Sequence, residues 1–235
     1  MFLHAKSIIG LLVVSLFIPR SYAVDKTANP KLVADLRSAA TVNDVNQLLK
    51  QKDWTYDFTK HEHYSFAPGG VINANAATFP AVTGYGMSMA ILNLGPCSML
   101  HAHHHPRADN FVFAAHGHTR TFMLQENGAP LVTAELTPGQ MTIFPRGSLH
   151  SMQNLGCDNA QLVSTMNAED AGTQNHLHSL FQIPMENLEA IFGYPDIDLN
   201  DTFARMAPVG TGAIWGPRDC LARCSLTADG KQLSS

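Results

Sequence analysis

The sequence predicts a mainly β fold, an antiparallel sandwich or barrel with short helices before and after it. Two observations carry this. Between about Trp54 and Asn167, short runs rich in Val, Ile, Phe, Thr and Met alternate with Gly, Pro and Asn punctuation, the texture of many short strands. On either side, apolar residues recur at three- and four-residue spacing, the period of an amphipathic helix. The 235-residue chain has room for one full core without a second domain.

The chain opens on MFLHAK, continues with the apolar run SIIGLLVVSLFIP and reaches SYA just before Val24. A positive start, a short apolar stretch and a small-x-small cleavage site predict a secretory leader over residues 1–23. The run is shorter than the ~20 residues a membrane-spanning helix needs, so the mature protein is expected outside the cell, in the extracellular space or the wall. Loss of the leader removes Lys6 and Arg20 and no acid, which makes the formal charge of −4 more negative. No basic stripe remains to neutralise phosphates, so neither nucleic acid nor a membrane is an expected partner.

NPKLVADLRSAA and TVNDVNQLLKQ predict two short helices in an extension over residues 24–52, the second opening on a capping box between Thr41 and Asp44. Residues 53–193 hold the β domain and its following helices. Asn127-Gly128 marks a hairpin, and His116-Gly117-His118 is read as another hairpin turn with exposed histidines. Met87, Met89, Met123 and Met141 lie in strand-like runs and are assigned to the core, while Met99 and Met152 are placed nearer a pocket. Helical spacing returns in NHLHSLFQIPMENLEAIFG, stopped by Gly193 and Pro195, and in NDTFARMA. Residues 194–235 supply a last helix and a Gly- and Pro-rich tail. Asn200-Asp201-Thr202 is both a glycosylation sequon and a possible helix cap.

Four cysteines in an exported chain predict two disulfides. Three pairings exist; Cys97–Cys157 and Cys220–Cys224 is the one expected here, because the last two are close in sequence and would clip the tail.

Chemistry concentrates in two segments. GPCSMLHAHHHPRADN, residues 95–110, puts His103 and His105 on one face of a strand and His104 on the other, so two imidazoles can grip one ion. GQMTIFPRGSLHSMQN, residues 139–154, has a turn at Pro145-x-Gly147 that can aim His150 inward as a third. The second segment resembles the cupin motif G-x5-P-x-G-x2-H-x3-N at every fixed position, through Gly139, Pro145, Gly147, His150 and Asn154. GPCSM, HHHPRA, NLGCDNA, NAEDAGT and KDWTYDF resemble germin-like proteins, in particular the fungal and slime-mould spherulin-like branch. The resemblance covers about Asp53 to Gly193. It implies a jelly-roll β-barrel with C-terminal helices, one metal ion inside, and assembly into a homo-oligomer.

Alignment on Pro-Arg-Ala places the resemblance's H-x-H pair at His103 and His105. A second register, His101 and His103, fits the generic cupin spacing but loses that match. Germin-like sites carry a glutamate five residues after the second histidine, and here the position is Asn110, expected as a weak fourth ligand to the ion or as a hydrogen-bond donor to bound water. An amide leaves a divalent ion its full charge and does not stabilise the trivalent state. The resemblance implies manganese, with oxalate oxidase or superoxide dismutase activity. The Asn110 departure puts that redox chemistry in doubt and suits copper or zinc, which accept all-imidazole coordination. Asp109 points to the opposite face and would need a bulge to replace the carboxylate. His61, His63, His176 and His178 read as surface residues without partners. Three functions remain open: a secreted metal-binding cupin, a metal-dependent oxidoreductase acting on a small molecule, and a non-catalytic wall, spore or storage protein.

Overall fold

The computed structural model describes residues 25–233; the predicted leader lies outside them. In chain order the elements are α1 (Pro30–Ser38), α2 (Val42–Leu48), β1 (Gly69–Ala74), β2 (Ser88–Leu94), β3 (Met99–Leu100), β4 (His103–His104), β5 (Asn110–His116) and β6 (Thr119–Leu124). There follow β7 (Val132–Leu136), β8 (Met141–Phe144), β9 (Leu149–Asn154), β10 (Ala160–Met166), β11 (Gln174–Asn175), α3 (His176–Leu180), α4 (Met185–Ile191), α5 (Leu199–Arg205), β12 (Ala213–Ile214) and α6 (Arg218–Arg223). Among the described residues no helix is long and apolar enough to cross a membrane.

Two antiparallel sheets form the barrel. One runs β1-β2-β10-β5-β8; in the other, β9 carries β6 on one edge and the short β3 and β4 end to end on the opposite edge. Strict alternation builds the core: Ala160, Leu162, Ser164 and Met166 of β10 point inward, and Asn110, Val112 and Ala114 of the neighbouring strand β5 lie beside them on the same inner face. Phe144, Met152, Leu92, Leu94 and Leu100 fill the space between the sheets.

The N-terminal helices form as their sequence predicts. Asn29 caps α1 with Pro30 at its first position, and Thr41 and Asp44 exchange the two bonds of a capping box. Pro184 separates α3 from α4, and Gly193, just past the C-cap Phe192 of α4, takes a left-handed φ of 72°. Asp198, not Asn200, caps α5: its carboxylate accepts from the Asp201 N–H at 3.0 Å.

Three expectations are corrected. The β6–β7 hairpin exists, with Gly128 at φ 88° in its connection, but His116-Gly117-His118 is not a hairpin turn. It carries the chain from one sheet to the other, because β5 pairs with β10 and β8 while β6 pairs with β9. Met87, Met89 and Met141 are not core: they are 59%, 39% and 53% exposed. Met89 and Met141 occupy strand positions that point outward, and alternation outweighs hydrophobicity there.

The third correction is the disulfides, which are Cys97–Cys220 and Cys157–Cys224. Cys220 on α6 and Cys224 at its C-cap sit one helical turn apart, where side chains lie side by side about 5–6 Å between Cβ atoms instead of the ~3.8 Å a disulfide requires. Both therefore reach the same way, to the adjacent loops at Cys97 and Cys157. Those loops touch through the Cys97 N–H and the Gly156 carbonyl at 3.1 Å. The tail is fastened to the barrel instead of being clipped to itself.

Candidate metal centre

Three imidazoles meet inside the barrel. His103 on β4 lies directly opposite His150 on β9 in the sheet register. His105, two residues on, returns to the same face as His103, while His104 points away. The Pro145–Ser148 turn does what its sequence requires: the Ser148 N–H reaches the Pro145 carbonyl at 3.0 Å and Gly147 takes φ 77°, the third position of a type II turn. His150 then enters the interior stacked on Phe144, with ring centroids 4.2 Å apart and planes within 7°. The ligand atoms of His103, His105 and His150 all lie within 4.8 Å of one another.

The protein fixes the tautomer of each ring. The Nδ1–H of His103 donates to the His101 carbonyl (2.7 Å), that of His105 to the Gly172 carbonyl (2.7 Å) and that of His150 to the Ser148 carbonyl (2.8 Å). A carbonyl only accepts, so each Nδ1 carries the proton and each Nε2 is a free lone pair. The His150 Nε2 is buried with no hydrogen-bond partner among the described residues. Burial, aided by repulsion from the neighbouring rings, lowers His103 to about 4 and His150 to about 2; His105 is lowered chiefly by burial. Neutral, oriented imidazoles with converging lone pairs and one orphaned buried acceptor fit a divalent transition ion.

A family model described as Cupin matches residues 58–194. The chain belongs to the cupin family. Spherulin-1B of Physarum polycephalum is 29% identical to this cupin over 205 residues, covering 86% of it and 82% of the relative. Germin-like protein 1-1 of Oryza sativa subsp. japonica is 32% identical over 154 residues, covering 63% of this chain and 70% of its own. Among solved structures, recombinant oxalate oxidase in complex with glycolate matches with a TM-score of 0.55 at 20% identity, over 66% of this chain and 83% of that one. That last likeness is one of fold.

Asn110, at the germin glutamate position, is 2% exposed and faces the same interior. Its Oδ1 accepts a 2.6 Å hydrogen bond from the Ser164 hydroxyl, so the atom that would coordinate an ion is already engaged. Asp109 lies outside, as alternation predicts. Its carboxylate accepts from the Arg146 backbone N–H (2.9 Å) and the Asn167 amide (2.8 Å), contacts that hold its pKa below the usual carboxylate range. It pins the β8–β9 turn and does not replace the missing ligand. From the histidines a cavity of ≈ 960 Å³ opens outward, with Leu92, Leu100, Met152 and Met166 on its walls and Lys26 and His63 near its mouth.

The remaining histidines are less solitary than their sequence suggests. His104 Nδ1 and His176 Nε2 are 2.8 Å apart, and the rings of His101 and His178 pack edge to face at 4.9 Å. These pairs arise because β11 and α3 lie against β4, an adjacency invisible along the chain. His101, the alternative ligand, is turned away toward the Pro208 carbonyl at 3.3 Å. His118 pairs with Glu135 at 2.8 Å and is exposed. Ser164 and Phe144 are the site residues that motif reading missed. Both sit at inward positions of alternating strands, and a polar residue at such a position was the available signal for Ser164. All four cysteines are in disulfides, so the close approach of Cys97, Cys220 and Cys224 provides no thiolate ligands.

Proposed function

We propose that this chain is an exported cupin that holds one divalent transition-metal ion through the Nε2 atoms of His103, His105 and His150, with Asn110 beside the ion as a hydrogen-bond donor and not as a fourth ligand. The single observation that carries the reading is the three-fold fixing of Nδ1–H by backbone carbonyls, which leaves three lone pairs facing one point. An ion there supplies a Lewis-acidic centre of undiminished double charge, since all its protein donors are neutral. Manganese follows from the germin resemblance. Copper or zinc follows from the donor set, which gives a trivalent state no anionic support. This weighs against oxalate oxidation or superoxide dismutation and in favour of binding or redox-neutral chemistry. The leader in the sequence and the two disulfides support export.

A homo-oligomer is supported by the outer face of the first sheet. Phe111 lies opposite Ile143 and Phe113 opposite Met141, and these four are 41–53% exposed. Val163 and Ile91 continue the same cross-strand row. Contiguous apolar surface of this kind marks an association site, and a second copy of the chain is the proposed occupant.

Elemental analysis and electron paramagnetic resonance of the purified secreted protein test the metal reading. Close to one ion per chain is expected, falling to near zero in His150→Ala. A chain that takes up no ion on reconstitution, or a His150→Ala variant that keeps it, refutes the assignment.

A further inference from the structure

Resting on the metal reading above, we propose that the cavity takes an organic acid with an extended hydrocarbon body, its carboxylate held between the ion and the Asn110 amide. Three features of this chain carry the inference together.

The first is the orientation of Asn110. Because Ser164 donates to Oδ1, the side-chain NH₂ is left as the group that faces the cavity. It has no hydrogen-bond partner among the described residues, and it is a donor only. A donor beside a cation site is matched by an anion that touches both, because an anionic oxygen accepts from the amide while it neutralises the ion.

The second is charge. Three neutral imidazoles and a neutral amide leave an enclosed double charge without a counter-charge, a costly arrangement in a partly apolar interior. The carboxylates that line the cavity, Asp25 and Glu62, stand toward its mouth, and Asp25 is held there by the amides of Asn73 (2.9 Å) and Asn75 (2.6 Å). The ligand must therefore bring the compensating anion that a glutamate at position 110 would have supplied.

The third is size and lining. At ≈ 960 Å³ the cavity lies at the upper end of the range for drug-sized ligands. A two-carbon acid or a diatomic anion would occupy only the histidine end and leave unfilled the rest of the cavity, which Leu92, Leu100, Met152 and Met166 help to wall. An acid whose hydrocarbon part runs along those four side chains removes its own apolar surface from water.

Isothermal titration of the metal-loaded protein with acetate, oxalate and 4-phenylbutanoate tests this, with ion content measured on the same samples. 4-Phenylbutanoate is expected to bind at least about tenfold more tightly than acetate, the ratio that ~1.4 kcal/mol of apolar burial produces. Ala90→Leu, which narrows the wall, is expected to erase that advantage while acetate still binds. At matched ion loading, Asn110→Asp is expected to weaken both monocarboxylates by about tenfold or more through repulsion. Equal affinity for acetate and 4-phenylbutanoate, a preference for oxalate over both, or 4-phenylbutanoate binding undiminished in metal-stripped protein each overturns the proposal. Should Ala90→Leu fail to fold, the comparison of the three acids on the unaltered protein still decides. Failure of the metal reading is seen separately, as absent ion in the elemental analysis, and the acid proposal falls with it.

Discussion

Acidifying the metal-free protein from pH 7 to pH 5 is expected to destabilise it through the buried imidazoles, before most carboxylates titrate. His103 has its pKa lowered from 6.5 to about 4 and His150 from 6.5 to about 2. Below pH 6.5 the unfolded chain takes up protons at both residues while the folded chain does not, so stability falls as pH falls. The contribution is fully present above 6.5, and for His103 the loss levels off below about 4. One pH unit is worth about 1.4 kcal/mol per group, so the drop from 6.5 to 5 costs about 2 kcal/mol at each. Both rings are still neutral in the folded state at pH 5, so their mutual repulsion is not engaged and the two losses add to about 4 kcal/mol. That is a large share of the 5–15 kcal/mol typical of a folded domain. His101, His105 and His176 are shifted in the same direction and add to the trend. The lowered carboxylates Asp57, Asp109, Glu135 and Asp229 act in a more acidic range: what they contribute is present above their unfolded pKa and is lost mainly below about pH 4.5. Urea unfolding in chelator at pH 7, 6 and 5, followed by circular dichroism, measures the effect, and His150→Gln should remove about half of the two-histidine loss. A stability that is flat from pH 7 to 5, or a pH slope unchanged in His150→Gln, would refute the buried, neutral state of these rings.

Digestion without reduction, followed by mass spectrometry, is expected to yield a Cys97 peptide joined to a Cys220 peptide and a Cys157 peptide joined to a Cys224 peptide; a Cys97–Cys157 species would contradict the fold. Because Cys97–Cys220 closes a loop of 123 residues, its removal in Cys97→Ala/Cys220→Ala should cost about 2–5 kcal/mol in denaturant unfolding. Asn154→Ala should cost about 2–4 kcal/mol in the same assay, since the Asn154 amide donates to the carbonyls of Leu94, Gly95 and Asp158 and its Oδ1 accepts from the Gly156 N–H; a loss below about 0.5 kcal/mol would show those carbonyls are satisfied without it. Phe113→Lys should shift the mass seen in sedimentation toward the monomer, and an unchanged mass would place the interface elsewhere.

The strands and the face that carries the three histidines were legible because both depend on period-2 alternation, which a sequence displays directly. His103 and His105 had to share a side once their segment was extended, and Asn110 had to face inward once Asp109 faced outward. The same rule, applied consistently, would have placed Met89 and Met141 on the outer face, since their strand neighbours Ala90 and Thr142 fix the phase; reading them by hydrophobicity alone put them in the core. What the sequence left hidden were relations between distant segments. The pairing of Cys220 with Cys97 depends on where α6 lands, and the His104–His176 contact on which strand lies beside β4. The Ser164 hydrogen bond that orients Asn110 joins residues 54 apart and depends on β10 lying next to β5.

The two crosslinks overlap in a way that bears on resistance to proteolysis. Between Cys97 and Cys224 every peptide bond lies inside at least one covalent ring. A protease that makes a single nick anywhere in that interval leaves its two products tethered, with His103, His105 and His150 all within the tethered span. Damage that would sever an uncrosslinked barrel is here reduced to a local opening, and reassembly stays a first-order event within one molecule.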